Sequence, residues 1–136
     1  MANALYGKGR EGFLDGSIDW DTDDIRVILV DMADYPAFSI DVDDNLDDIP
    51  TAARVKVSDA LASKTVTLGV ADAADKTLSA VTGDVSEALV IYKHTGVEST
   101  SRLIAYIDSA TGLPVTPNGG DIAIQWDDGA NKIFKL

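Results

Sequence analysis

The sequence predicts an all-β fold, a jelly-roll-like β-sandwich of about eight strands with a short N-terminal helix. Three observations carry that expectation. Short runs rich in Val, Ile, Thr and Tyr recur between turn signals, at the spacing of sandwiches and barrels. The acids are twenty Asp and only three Glu, and Asp favours caps and turns where Glu favours helix interiors. The last third, residues 102–136, reads as strand, loop, strand, turn, strand.

Taken in order, residues 1–16 form an N-terminal helical segment. A short helix over residues 4–15 has Leu5, Phe13 and Leu14 as apolar anchors and Asn3 as its candidate cap. Gly7, Gly9 and Gly12 each weaken it by about 1 kcal/mol relative to Ala, so it depends on docking. The Asp-rich stretch 19–24 is a turn. Residues 25–31, Ile-Arg-Val-Ile-Leu-Val-Asp, are apolar on both faces, which predicts a strand that is central or covered on both sides. Residues 32–53 read as an irregular acidic loop region with Pro36, Pro50 and a run of acids over 41–48. Strand signals resume at 54–57, 64–68, 77–81, 88–93, 103–108, 122–126 and 132–136. Residues 72–75 and 94–96 are turn-like connectors, and 127–131, Asp-Asp-Gly-Ala-Asn, closes a final hairpin.

No linker or repeat divides the chain, so residues 1–136 are read as a single β-sandwich domain, large enough to bury a core unaided. No apolar run approaches a membrane span. The N-terminus lacks a signal-peptide pattern, which places the chain in a cytoplasm. Zero cysteines exclude disulfides, thiol catalysis and cysteine-based zinc sites. The net charge is −12, and its distribution is lopsided. Residues 1–48 hold thirteen acids against three bases; the remainder hold ten against eight. Such a field repels phosphates and argues against direct nucleic-acid binding.

The motifs that could carry chemistry are weak. Gly7, Gly9 and Gly12 match G-x-G-x-x-G, but only six residues precede them and no parallel βαβ context follows, so a dinucleotide site is rejected. Asp19, Asp21 and Asp23 have the 1-3-5 spacing of an EF-hand loop. The loop fails at its sixth position, Asp24, and its twelfth, Val30, so no metal is expected beyond a non-EF calcium site at those three acids. Asp41, Asp43 and Asn45 repeat the spacing and fail at Leu46 and Ala52. His94, the lone histidine, reads as a surface turn residue without a nucleophile or second ligand beside it. Trp126 reads as core, and Tyr92 and Tyr106 as neighbours able to pair across a sheet. A carbohydrate platform would need several exposed rings in a row. Neither catalytic residues nor a cofactor are expected.

Several segments together resemble a known family. These are Ala-Asn-Ala-Leu-Tyr-Gly-Lys-Gly-Arg-Glu-Gly-Phe-Leu-Asp-Gly-Ser-Ile-Asp-Trp (2–20), Asp-Asp-Ile-Arg-Val-Ile-Leu-Val-Asp (23–31), Val-Ile-Tyr-Lys-His-Thr-Gly (90–96), Ser-Arg-Leu-Ile-Ala-Tyr-Ile-Asp (101–108) and Ile-Gln-Trp-Asp-Asp-Gly (124–129). The chain resembles capsid cement (decoration) proteins of tailed bacteriophages, closest to those of short-tailed Bordetella phages. The resemblance covers nearly the whole chain, and its motifs are structural.

It implies a jelly-roll-like structural protein on the outside of an HK97-type capsid. There it would bind the major capsid protein, clamp neighbouring subunits after the shell expands, and act as a homo-oligomer assembled in the host cytoplasm. Under it, Leu5, Phe13 and Leu14 are candidate partner contacts, with Tyr35, Phe38 and Ile40 as a second set. Equally, these residues could cover the sandwich's own open end. A phage tail or neck protein is the alternative within this resemblance; a calcium- or carbohydrate-binding β-module is the alternative from another class.

Overall fold

In the computed structural model, which describes residues 3–136, the strand Ile25–Val30 is the spine of the fold. The strands are β1 (Ala4–Leu5), β2 (Ile25–Val30), β3 (Arg54–Val57), β4 (Thr65–Thr67), β5 (Val70–Asp72), β6 (Lys76–Leu78), β7 (Ala88–Lys93), β8 (Leu103–Ile107), β9 (Ile122–Ile124) and β10 (Phe134–Lys135). One helix, α1 (Gly7–Asp15), stands among them. A five-stranded sheet runs β1-β8-β7-β2-β3, and two small sheets run β10-β5-β4 and β6-β9. All pairings are antiparallel. The fold is thus the all-β sandwich the sequence predicts, with two strands more than expected, β1 and β5.

The doubly apolar reading of β2 finds its cause in two cores. Ile25, Val27 and Leu29 face one side together with Leu89 and Ile91 of β7. The small sheets cover that side with Ala71, Leu78, Ile124 and Trp126, and Trp20 packs among them. Ile28 and Val30 face the other side with Val90, Tyr92, Leu103 and Tyr106. There the cover is the irregular segment 32–53. Its Tyr35, Leu46, Ile49 and Ala53 are buried against the sheet, and Met32, Phe38 and Ile40 are packed at their edge. A bulge opposite Ile91 and Tyr92 lets Ile104 reach the first core between Leu103 and Ala105.

Segment 32–53 is held by polar contacts as well. Arg54 spans from β3 beneath it, donating to the carbonyls of Leu46 (2.8 Å) and Ile49 (2.9 Å from Nε) and pairing with Glu98. The hydroxyl of Tyr35 donates to the buried carboxylate of Asp43, which also accepts from the Ser39 N–H at 2.9 Å. Lifting this segment would expose Ile28, Val30, Val90 and Leu103, each worth about 1.5–3 kcal/mol when buried. The segment is a fixed layer of the fold rather than a flap.

Three local expectations are corrected. Asn3 does not cap α1, which begins after Tyr6. Its side-chain oxygen instead accepts from the N–H groups of Asp108 and Ser109, both at 2.9 Å, tying β1 to the end of β8. The strands flanking residues 127–131 form no hairpin, because β9 pairs with β6 and β10 with β5. Tyr92 and Tyr106 lie on adjacent strands but are not opposite each other. Their partners are Leu103 and Val90.

Candidate functional site

The glycine motif of the first helix solves a packing problem. A Cβ on Gly9 would sit 2.7 Å from the Leu103 carbonyl oxygen and 2.9 Å from Ile104 Cα, and one on Gly12 would meet the Ile18 side chain at 2.5 Å. The bare face of α1 therefore lies directly on the β8 backbone. The Tyr6 N–H donating to the Ile104 carbonyl (2.9 Å) and Arg102 donating to the Lys8 carbonyl (2.9 Å) hold it there. Gly16, at φ +81°, ends the helix in a left-handed turn.

That docking carries the far end of α1 to one rim of the sandwich and opens a groove of about 430 Å³. Phe13 and Gly16 form one wall; Val66, Gly69 and Ala71 of the β4–β5 hairpin form the other. Trp20, Phe134 and Leu136 lie between them. The Phe134 ring meets Phe13 at 5.6 Å and the edge of Trp20 at 5.2 Å. The one polar atom of Trp20's side chain, Nε1, is spent on the Asp72 carbonyl at 3.0 Å. In the groove, apolar side chains stand in solvent: Leu136 is 58% exposed and Val66 56%, and the chain neighbours of its lining residues Phe13 and Gly69, Leu14 and Leu68, are 88% and 92% exposed.

The charged residues of the lining are Asp19 and Asp21. The two neighbouring carboxyls act on each other, side chain to side chain, which holds Asp19 below and lifts Asp21 above the usual carboxylate range. Asp23, the third acid of the 1-3-5 spacing, turns elsewhere. It accepts from the Asp19 N–H at 2.7 Å and pairs with Lys93 at 3.1 Å, so the three carboxylates do not converge on a calcium position. Among the described residues, the acids that do cluster are Asp31, Asp34 and Asp84, and Asp44, Asp47 and Asp48. In these, Asp31 accepts from the Ala33 N–H at 2.9 Å and Asp48 from the Asp44 N–H at 2.7 Å.

The six candidate contact residues separate. Leu14 is free in solvent, and Phe13 lines the groove. Leu5 is half-buried and packs against the first core. Tyr35 is buried, while Phe38 stacks on Tyr106 at 4.4 Å and Ile40 packs beside them. This second set thus covers the chain's own sheet. Val66, Leu68 and Leu136 were not singled out by the sequence, because apolar residues alternating with Thr65 and Thr67 or ending a strand read as a covered face, whereas the whole of β4 is exposed.

A second, larger groove is polar, lined by Asp75, Gln125, Asp127, Asp128 and Lys132 beside Trp126. Trp126 is buried, its Nε1 donating to the Ala74 carbonyl at 3.0 Å. Every aromatic ring among the described residues is buried or half-buried, so they present no exposed row of rings for a sugar. His94 is half-buried, with Nδ1 3.3 Å from the Tyr92 hydroxyl. No helix of the described residues is long and apolar enough to cross a membrane.

Fold and surface together define an antiparallel β-sandwich with an apolar, acid-edged groove at one rim. No model of a known protein family matches the chain, and a search of curated proteins finds no match.

Proposed function

We propose that this chain is a structural virion protein, a cement protein that binds the outside of an HK97-type phage capsid through the major capsid protein and stabilises the expanded shell. One observation carries the binding part of this reading. Val66 and Leu136 stand exposed in an apolar groove, with the exposed Leu14 and Leu68 next in the chain to its lining residues, surface that a partner would remove from water at about 25 cal/mol per Å². The capsid part is supported by the resemblance of residues 2–20, 23–31, 90–96, 101–108 and 124–129. A clamp of this kind needs no catalytic group. It needs a rigid body and many copies, since repeated weak contacts gain avidity. Homo-oligomerisation and a place on the capsid exterior belong to the same proposal.

Labelling intact virions with an antibody to the chain tests it. Label over the head is expected; label confined to the tail would replace the cement reading with the tail or neck one. Particles lacking the protein are expected to release DNA at a lower temperature than complete particles. Unchanged thermal release would remove the stabilising role.

A further inference from the structure

At the tip of the β4–β5 hairpin, Leu68 and Gly69 both have positive φ, +52° and +78°, as a type I′ turn requires. Gly, Asn and Asp suit such positions, and a leucine is strained there. Leu68 is also almost fully exposed, so the isolated chain recovers nothing from its side chain. Strain and exposure coincide beside a groove whose walls are chiefly apolar and whose charged lining is wholly acidic.

We propose that this groove is a docking site for a segment of another protein that bears apolar side chains and a Lys or Arg. The apolar part would seat on Phe134, Trp20 and Val66, next to the hairpin tip that carries Leu68, with the cation at Asp19 and Asp21. Charge decides the occupant. A Lys or Arg of the partner would pair with the two exposed carboxylates of the lining, Asp19 and Asp21, to which this chain's own Lys64 lends only a coulombic influence at Asp21, while the same groove of a second copy would bring the same two acids against them. The inference rests on the reading of the chain as a partner-binding structural protein, and it does not require that the partner be a capsid.

Two synthetic peptides, Ac-Lys-Val-Leu-Val-Lys-NH2 and Ac-Glu-Val-Leu-Val-Glu-NH2, titrated into the isotope-labelled chain and followed by amide NMR, test it. The lysine peptide is expected to shift Gly69, Ala71, Phe134 and Leu136. It should bind about tenfold more tightly than the glutamate peptide at low salt, a gap that closes near 1 M salt, where the Debye length is about 3 Å. Leu68→Asn is expected to weaken that binding while raising the melting temperature, and Asp19→Asn with Asp21→Asn to abolish the preference for lysine. Equal binding of the two peptides, shifts away from the groove, or no shifts would overturn the proposal. So would sedimentation showing a dimer that Leu68→Asn dissociates, which would make a second copy the occupant. Tail-only label on virions would remove the capsid reading and leave these titrations standing.

Discussion

Leu68 and Tyr6 are single residues whose local environment works against stability, and each gives a mutational test. At φ +52° a leucine costs roughly 1–2 kcal/mol relative to a residue at ease in the left-handed region. Leu68→Asn is therefore expected to stabilise the isolated chain by about 0.5–1 kcal/mol, read from urea unfolding. A loss of stability would mean that Leu68 packs on the hairpin enough to outweigh the strain. Tyr6 presents the opposite geometry, a hydroxyl wholly buried that makes no hydrogen bond of ordinary geometry and leans only on the neighbouring Tyr35 hydroxyl. Removing an unsatisfied buried group recovers about 1 kcal/mol, so Tyr6→Phe should be neutral to stabilising. Tyr35→Phe should not behave this way. It deletes the bond to Asp43 and leaves a buried carboxylate with one fewer donor, a loss of about 1.5–3 kcal/mol. Equal effects of the two tyrosine substitutions would contradict this account.

For α1, packing outweighs propensity. Gly9→Ala gains about 1 kcal/mol in helix propensity, yet its methyl would press on the backbone of β8, an overpacking that costs about 1–3 kcal/mol. Net destabilisation is expected, with faster hydrogen exchange at the Tyr6 and Gly7 amides, which bond to the Ile104 and Ile40 carbonyls. Glu11→Ala, on the exposed side of the same helix, should stay within about 0.5 kcal/mol of the parent. The element scale also shows where the sequence was legible. β2 and β7 were readable because Val27–Val30 and Ala88–Tyr92 are apolar, β-branched-rich runs of strand length between turn signals. β1 and β5 were not, since two or three residues are too few to show a period. The β9–β10 pairing was misjudged because turn residues at 127–131 report a local bend, while the partners of both strands lie far back in the chain. The groove was the least legible feature. It joins the end of α1, residues 18–21, the β4–β5 hairpin and β10, and no local pattern records that meeting.

At the scale of the molecule, the two cores share β2, β7 and β8 but differ in chemistry, and that difference sets a response to alkali. Both tryptophans lie in the first core and all four tyrosines in the second. Burial moves the ionisation of Tyr6, Tyr35 and Tyr92 to higher pH, and pushes Tyr106 from its ordinary value of 10.0 up to about 12. The unfolded chain ionises its tyrosines near 10, so above that pH it binds fewer protons than the folded chain, and stability falls as pH rises. The tyrosine contribution is whole below pH 10 and is lost as pH climbs through about 12 and beyond. Because the three shared strands couple the cores, lifting segment 32–53 alone would strip one face of β2 while leaving the other packed, a state with several buried aliphatic residues newly in water. A single cooperative transition is therefore expected. Tyrosinate absorbance and tryptophan fluorescence, followed together in an alkaline titration, should change at the same pH. Tyrosinate appearing while tryptophan fluorescence stays native would show that segment 32–53 opens by itself, and the two cores would then have to be treated as separately stable units.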